Sequence, residues 1–250
     1  VPASGEETRS TAAAAARRGT RRVVAAGGDG TAHQVANGLL STPGAPPELA
    51  VVPLGTGNDY ARSLGLPTDP REAIELAAGG TARPTDAVEL RPGPTWCLNV
   101  AVGGAGGRKG LEVDRAEKRH WGSLAYLKSA VEELPRLPRY ETRIEVDGRE
   151  RTDTLVNVVV ANGRFTGGGV PVAPGARPDD GRLRLLLVPA LELSELAKLA
   201  SGFLAGDHGE RAAVLDDVRS VRIASEPAMR FRADGEPAGV TPLSARVRPG

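Results

Sequence analysis

The sequence predicts an α/β fold in its first third and a mostly antiparallel β domain in the remainder, on three observations. Between residues 12 and 82, short apolar runs alternate with helical patterns across glycine-rich turns, the rhythm of a parallel sheet covered by helices. Beyond Gly80 the segments become strand-like, with only two helical stretches among them. Within the longest of them, "EVDGRE" sets an Asp-Gly pair between β-rich runs, a strong hairpin signal.

Taken in order, Ala12 to Gly19 is helical and leads into the short apolar strand "RRVVAA". "TAHQVANGLL" follows a glycine turn with helical spacing, which turns Val35, Leu39 and Leu40 towards a sheet. "ELAVVPLG" is continuously apolar, as a strand covered on both faces must be. "GTGNDYARSLG" is a loop opening a helix, and "DPREAIELAAG" is an amphipathic helix started by proline. After the linker-like "AGGTARP" come the strand segments "TDAVEL", "WCLNVAVGG", "RYETRIEVDGRERTDTLVNVVVANG", "RLRLLLV" and "DVRSVRIAS", with helical stretches at "GSLAYLKSAVEEL" and "LELSELAKLASGFL". The predicted boundaries are a first domain over residues 1–83, a second over 84–240, and a last segment, 241–250, free to return to the first.

The 250 residues are 40% hydrophobic, enough for real cores, and Lys and Arg nearly balance Asp and Glu at a net charge of +1. That balance argues against duplex nucleic acid as a partner. The single cysteine, Cys97, lies between Trp96 and Leu98 in an apolar run and reads as a core residue. No apolar stretch approaches the roughly 20 residues that span a bilayer, so a cytoplasmic protein is expected. The first residue is not methionine and the sequence opens close to a helix, so a preceding N-terminal piece is expected as well. His33, His120 and His208 are far apart and lack the spacing of metal ligands. "RRGTRR" and "DRAEKRHWG" read as solvated faces, although Arg115, Lys118, Arg119 and Trp121 also suit weak interfacial docking, and Trp121 and Tyr126 also suit a core.

The glycine turns carry the chemistry. A glycine loop between strand and helix lets backbone N–H groups converge on an anion, which suits a phosphate. Gly27, Gly28 and Gly30 do not complete G-x-G-x-x-G, because His33 stands at the last position, and there is no G-K-S/T of a Walker loop. What remains is Asp29 at the carboxyl end of a strand, where open α/β sheets bind ligands. An acid beside phosphates is repulsive unless a divalent cation lies between, so the pairing implies Mg²⁺. "PLGTGNDYAR" repeats the design, with Gly55, Thr56 and Gly57 as a backbone and hydroxyl surface before Asn58 and Asp59. Either aspartate alone could be a turn former or helix cap. Two acid-bearing glycine turns at the ends of neighbouring strands point to phosphate and metal.

With "GGDGT" and "PLGTGNDYAR" in place, the sequence resembles the diacylglycerol kinase catalytic-domain family, which includes soluble bacterial diacylglycerol kinases and sphingosine kinase-like lipid kinases. "CLNVAVGG", "GSLAYLKSAVEEL", "NGRFTGGGVPVAPGARPDDGRLRLLLVP" and "ADGEPAG" are similar to later family patterns, in the family's order. The resemblance implies an α/β nucleotide-binding domain, a β-sandwich domain and a cleft between them for ATP and Mg²⁺. It implies that Gly28, Asp29, Gly30 and Thr31 lie along the nucleotide phosphates, with Gly55, Thr56, Gly57 and Asn58 as the second nucleotide surface. It implies catalytic Mg²⁺ organised by Asp29 and Asp59, and Glu236 as the general base on the lipid hydroxyl with Asp234 close by. Asp180, with the backbone carbonyls of Arg177 and Arg182, matches a structural Mg²⁺ site. The implied partner is a lipid substrate met peripherally at a membrane surface, and a homodimer is left open. Without the resemblance, "DGEPAG" is also ordinary hairpin-turn chemistry with a solvent-facing acid. Gln34 stands where the family often has an acid, which keeps a catalytically silent nucleotide- or lipid-binding homologue as an alternative. "GGDGT" is shared with NAD kinases, which keeps an NAD kinase-like phosphotransferase as another.

Overall fold

The computed structural model describes residues 2–105, 137–192 and 212–250, together with positions 194, 195, 198, 199 and 202. The expected helix "GSLAYLKSAVEEL", half of "LELSELAKLASGFL", and Arg115, Lys118, Arg119, His120, Trp121, Tyr126 and His208 lie outside the described residues.

The first layer is built as its residues dictate. Helix α1 (Gly5–Arg17) is alanine-rich, begins on Ser4, whose hydroxyl accepts the Glu7 N–H, and carries Glu6 and Glu7 at the positive end of its dipole and Arg17 at the negative end. It packs against α2 (Asp29–Leu40) closely enough that a Cβ on Gly38 would stand 2.3 Å from the Arg9 carbonyl oxygen. Strands β1 (Arg22–Gly27) and β2 (Glu48–Pro53) pair in parallel, with Arg22 opposite Glu48 and Gly27 opposite Pro53. Ala12, Ala25, Ala32, Val35, Ala36 and Leu39 fill the space between this pair and the two helices. Asp69 caps α4 (Pro70–Gly79), which lays Ala73 and Ala77 on Val52 from the other face. Because β1 and β2 end in register, the turns that follow them leave the sheet side by side, the second leading into the short α3 (Asp59–Leu64).

The second layer is antiparallel throughout. Its strands are β3 (Ala87–Arg91), β4 (Thr95–Cys97), β5 (Val100–Gly104), β6 (Tyr140–Val146), β7 (Arg149–Ala161), β8 (Leu183–Pro189), β9 (Ala213–Val218), β10 (Ser220–Glu226), β11 (Arg230–Ala233), β12 (Glu236–Val240) and β13 (Leu243–Arg248). They run in the order β12-β11-β5-β7-β6-β10-β13-β3-β4, with β8 on β7 and β9 on β8. The branch is at the long β7: its first half pairs with β6, and its second half lies between β5 and β8. The sheet thereby folds over itself as a sandwich around Leu90, Ile144, Leu155, Val158, Leu183, Leu185, Ile223, Met229 and Phe231. Asp147 and Gly148, both at positive φ, close the β6–β7 hairpin that "EVDGRE" predicts.

Residues 241–250 do not return to the parallel pair. They supply β13, which sits between β10 and β3 in the large sheet. The reason is legible in its pattern: Leu243, Ala245 and Val247 are buried and alternate with Ser244, Arg246 and Arg248, the period-two pattern of a half-buried antiparallel strand. The Gly250 N–H then donates to Asp86 Oδ1 at 2.9 Å, while Oδ2 of the same carboxylate accepts the Gly181 N–H.

Candidate active site

The two glycine turns touch backbone to backbone. A Cβ on Gly55 would stand 2.4 Å from the Gly28 Cα, and one on Gly28 would stand 3.1 Å from the Gly55 Cα, so the contact exists only because both side chains are absent. Gly28 is the N-cap of α2, and its carbonyl accepts the N–H groups of Thr31 and Ala32. Thr31 folds its side chain back onto Gly27, leaving 2.3 Å between Oγ1 and the place of a Gly27 Cβ. The second turn is locked by Asn58, held at φ +54: its Oδ1 accepts the Gly55 N–H and its Nδ2 donates to the Gly55 carbonyl, both at 2.9 Å. An Asn tolerates this left-handed backbone better than most residues. Thr56 is exposed at the crest.

Neither aspartate caps its own helix. Asp29 accepts the Tyr60 N–H on Oδ1 at 2.9 Å, tying the first turn to α3. Asp59 is buried, and its two oxygens accept the Gly168 and Gly169 N–H groups at 2.9 and 2.7 Å. Asp29 Oδ2 and Asp59 Oδ2 lie 3.1 and 3.5 Å from the point a Gly57 Cβ would occupy. Burial drives the Asp59 pKa up, the two glycine N–H groups pull it back and the Asp29 charge adds to the rise, leaving the carboxyl above its ordinary range. Two carboxylate oxygens around one point could hold a cation. Among the described residues no three His, Cys, Asp or Glu side chains gather, so an ion held by this pair would need further oxygen ligands from elsewhere, as phosphates provide.

Glu236 opens β12 directly after the Asp234-Gly235 turn, whose residues have φ of +51 and +88. It is not the solvent-facing acid of a bare hairpin: its Oε1 lies 3.3 Å from the place of a Gly30 Cβ, against the first turn of α2. Asp29, Asp59 and Glu236 thus lie around the joined glycine turns, and the space they border is the candidate groove. Gln34 is not part of it, since its side chain packs against Gly5 at the start of α1.

Asp234, grouped with the catalytic acids on sequence, has another place. Its side chain is only 4% exposed and both oxygens are occupied. Oδ2 meets His33 Nδ1 at 3.0 Å and accepts the Leu98 N–H at 2.8 Å; Oδ1 accepts the Asn99 and Val100 N–H groups and the Cys97 thiol. Burial pushes its pKa up, but His33 and the backbone N–H groups outweigh it and hold the carboxyl below the usual range. Cys97 moves the opposite way, its thiol pushed well up by burial and by the Asp234 charge, and so stays a donor. Asp234 fixes the turn that presents Glu236 and does not reach the groove.

Sequence reasoning missed the residues that join the two layers. His33 and Asn37 follow Gly30 at i+3 and i+7 on α2, a polar stripe on a helix otherwise apolar on its buried face, and that stripe was the available signal. Asn37 pairs with Trp96 in both directions, donating to its carbonyl at 2.8 Å and accepting its N–H at 2.9 Å. Ser63 on α3 donates to Asn99 Oδ1 at 2.8 Å and accepts the Arg164 N–H at 3.0 Å, which fixes the loop that offers Gly168 and Gly169 to Asp59. Gly163 is obligatory there, because a Cβ would stand 1.9 Å from Asn99 Oδ1.

The Arg177, Asp180 and Arg182 turn is not brought to the groove. Asp180 Oδ1 accepts the Arg182 N–H at 2.9 Å, and Arg177 pairs with Asp179 at the surface. Asp180 and Arg182 instead line a cavity of about 1150 Å³ with Asp86, Asp147, Arg219 and Arg246.

Comparison with known proteins matches the two layers separately. Residues 2–90 match the diacylglycerol kinase catalytic domain, and residues 100–250 match the YegS C-terminal NAD kinase beta sandwich-like domain. The chain is 37% identical over 226 residues to a protein of Xanthomonas euvesicatoria pv. vesicatoria named "Probable lipid kinase YegS-like", covering 88% of this chain and 73% of the other. It is 32% identical over 222 residues to the diacylglycerol kinase of Bacillus subtilis, covering 88% and 72%. A crystal structure of a diacylglycerol kinase from Bacillus anthracis superposes with a TM-score of 0.79 at 26% identity, over 98% of this chain and 80% of that one.

Proposed function

Because the chain belongs to the diacylglycerol kinase catalytic-domain family, a family of lipid kinases, we propose that it transfers the terminal phosphoryl group of ATP, with Mg²⁺, to a hydroxyl of diacylglycerol or a related lipid. The observation that carries the reading is the meeting of two glycine turns with Asp29 and Asp59 facing one space and Glu236 beside them.

The space beside Gly57 and its two hard carboxylate oxygens fit a magnesium ion, whose bound charge would neutralise the phosphates as the transfer proceeds. The chain's own residues do the rest. The N–H groups at the start of α2 and those of Thr56 and Gly57, with the Thr31 and Thr56 hydroxyls, line the phosphate chain and fix its direction. Glu236 accepts the proton of the lipid hydroxyl as its oxygen bonds to the terminal phosphorus and the bond to the bridging oxygen of the leaving diphosphate breaks. The Gly168-Gly169 N–H groups keep Asp59 aimed while it is ionised. A second magnesium ion, held by Asp180 and the Arg177 and Arg182 carbonyls, would brace the turn before β8 and take no part in transfer. The lipid is met at a membrane surface; among the described residues no helix is long and apolar enough to cross a bilayer.

The test is incubation with labelled ATP and Mg²⁺ against detergent micelles carrying diacylglycerol, ceramide or sphingosine, with NAD as a soluble acceptor. Label in a lipid supports the reading. Label in NAD alone, or in no acceptor, overturns it.

A further inference from the structure

We propose that His33 is a positioning residue for the transfer, coupling the phosphate-facing start of α2 to the turn that presents Glu236. The proposal rests on the reading of Glu236 as the base. Helix α2 meets the Ala233–Glu236 segment at two points one helical turn apart: Gly30 lies against Glu236 Oε1, and His33 Nδ1 meets Asp234 Oδ2 at 3.0 Å. Both side chains of the second contact are almost wholly buried, 5% and 4% exposed, so the bond is not diluted by water. Among the described residues, the other side-chain bonds of Asp234 reach Cys97, Leu98, Asn99 and Val100, on or between β4 and β5. His33 is therefore the side chain through which this turn registers on the helix that carries Asp29. Without its Nδ1–H, the turn keeps its hold on the sheet, which Asn37 still ties to α2 through Trp96, but loses its own direct hydrogen bond to the helix, and Glu236 gains freedom relative to the phosphates.

An asparagine at position 33 carries its Nδ2–H at the same number of bonds from Cβ as His Nδ1, whereas glutamine carries its amide one bond further out. The experiment measures kcat and the KM for ATP in the lipid transfer assay for wild type, His33→Ala, His33→Asn and His33→Gln, each also with Glu236→Gln. His33→Ala is expected to lose about a hundredfold in kcat with the KM for ATP within a few-fold. His33→Asn recovers at least about tenfold of that loss, His33→Gln does not, and neither adds to the loss in the Glu236→Gln background. Should His33→Ala not fold, the Asn and Gln pair decides alone. Equal rates for Asn and Gln, a loss confined to KM, or a full additional loss on top of Glu236→Gln overturns the proposal. Unchanged activity in Glu236→Gln alone would instead overturn the parent reading, so the two failures are distinguishable.

Discussion

Gly55 rests on the Cα of Gly28, so closely that a methyl group on Gly55 would stand 2.4 Å from it. That contact sets the two turns that carry Asp29 and Asp59 side by side. Gly55→Ala is therefore expected to force the turns apart, costing about 1–3 kcal/mol of stability as an overpacked site does. Gly57→Ala differs, because its nearest neighbours are the Asp29 and Asp59 oxygens at 3.1 and 3.5 Å with no backbone under 3.4 Å. It should keep wild-type stability to within about 1 kcal/mol and lose phosphoryl transfer. Urea unfolding and lipid kinase assays on the two variants check the contrast; equal stability losses would contradict it.

Glu236→Gln keeps the shape of the side chain and removes the proton acceptor. The expected outcome is a fall of about 10² to 10⁴ in kcat, with ATP affinity unchanged. A variant that retains a tenth of the wild-type rate would remove Glu236 from the chemistry.

Asp234 sets the acid limit of the joint. Its folded-state pKa lies below the ordinary aspartate value of 3.8, so the stabilisation it gives is present above that value and is lost as pH falls through the folded pKa. Asp234→Asn leaves donors facing donors and should cost about 3 kcal/mol near neutrality. The gap from wild type should hold down to about pH 5 and close below about pH 4, measured by urea unfolding across that range. A gap independent of pH would show that the carboxylate charge contributes nothing.

Much of this was readable in the residues themselves. The parallel pair followed from the continuously apolar "ELAVVP", the β6–β7 hairpin from Asp147-Gly148, and α4 from Asp69 and Pro70, because each signal is local. The acids Asp29 and Asp59 were legible for the same reason, as acids set in glycine turns. The joint was not. His33, Asn37, Asn99 and Gly163 act across 36 to 201 positions of sequence, and a buried polar residue is indistinguishable from a surface one until its partner is known. The bonds of Asp234 are hidden for that reason: the D-G turn shows in sequence, whereas the donors that fill its carboxylate lie more than 130 residues earlier. The strand at 243–248 is hard to read because short, arginine-rich "SARVRPG" hides its alternation until Leu243 is counted in.

The central claim is that a carboxylate from each glycine turn holds the nucleotide phosphates through magnesium. Calorimetric titration of ATP into the protein, with Mg²⁺ and with EDTA, for wild type and Asp29→Asn tests it most directly, since the Asn can still accept the Tyr60 N–H and keep the fold. The account predicts binding that weakens at least about tenfold without Mg²⁺ and falls to that same level in Asp29→Asn with or without the ion. ATP binding that ignores both the metal and the substitution would contradict it.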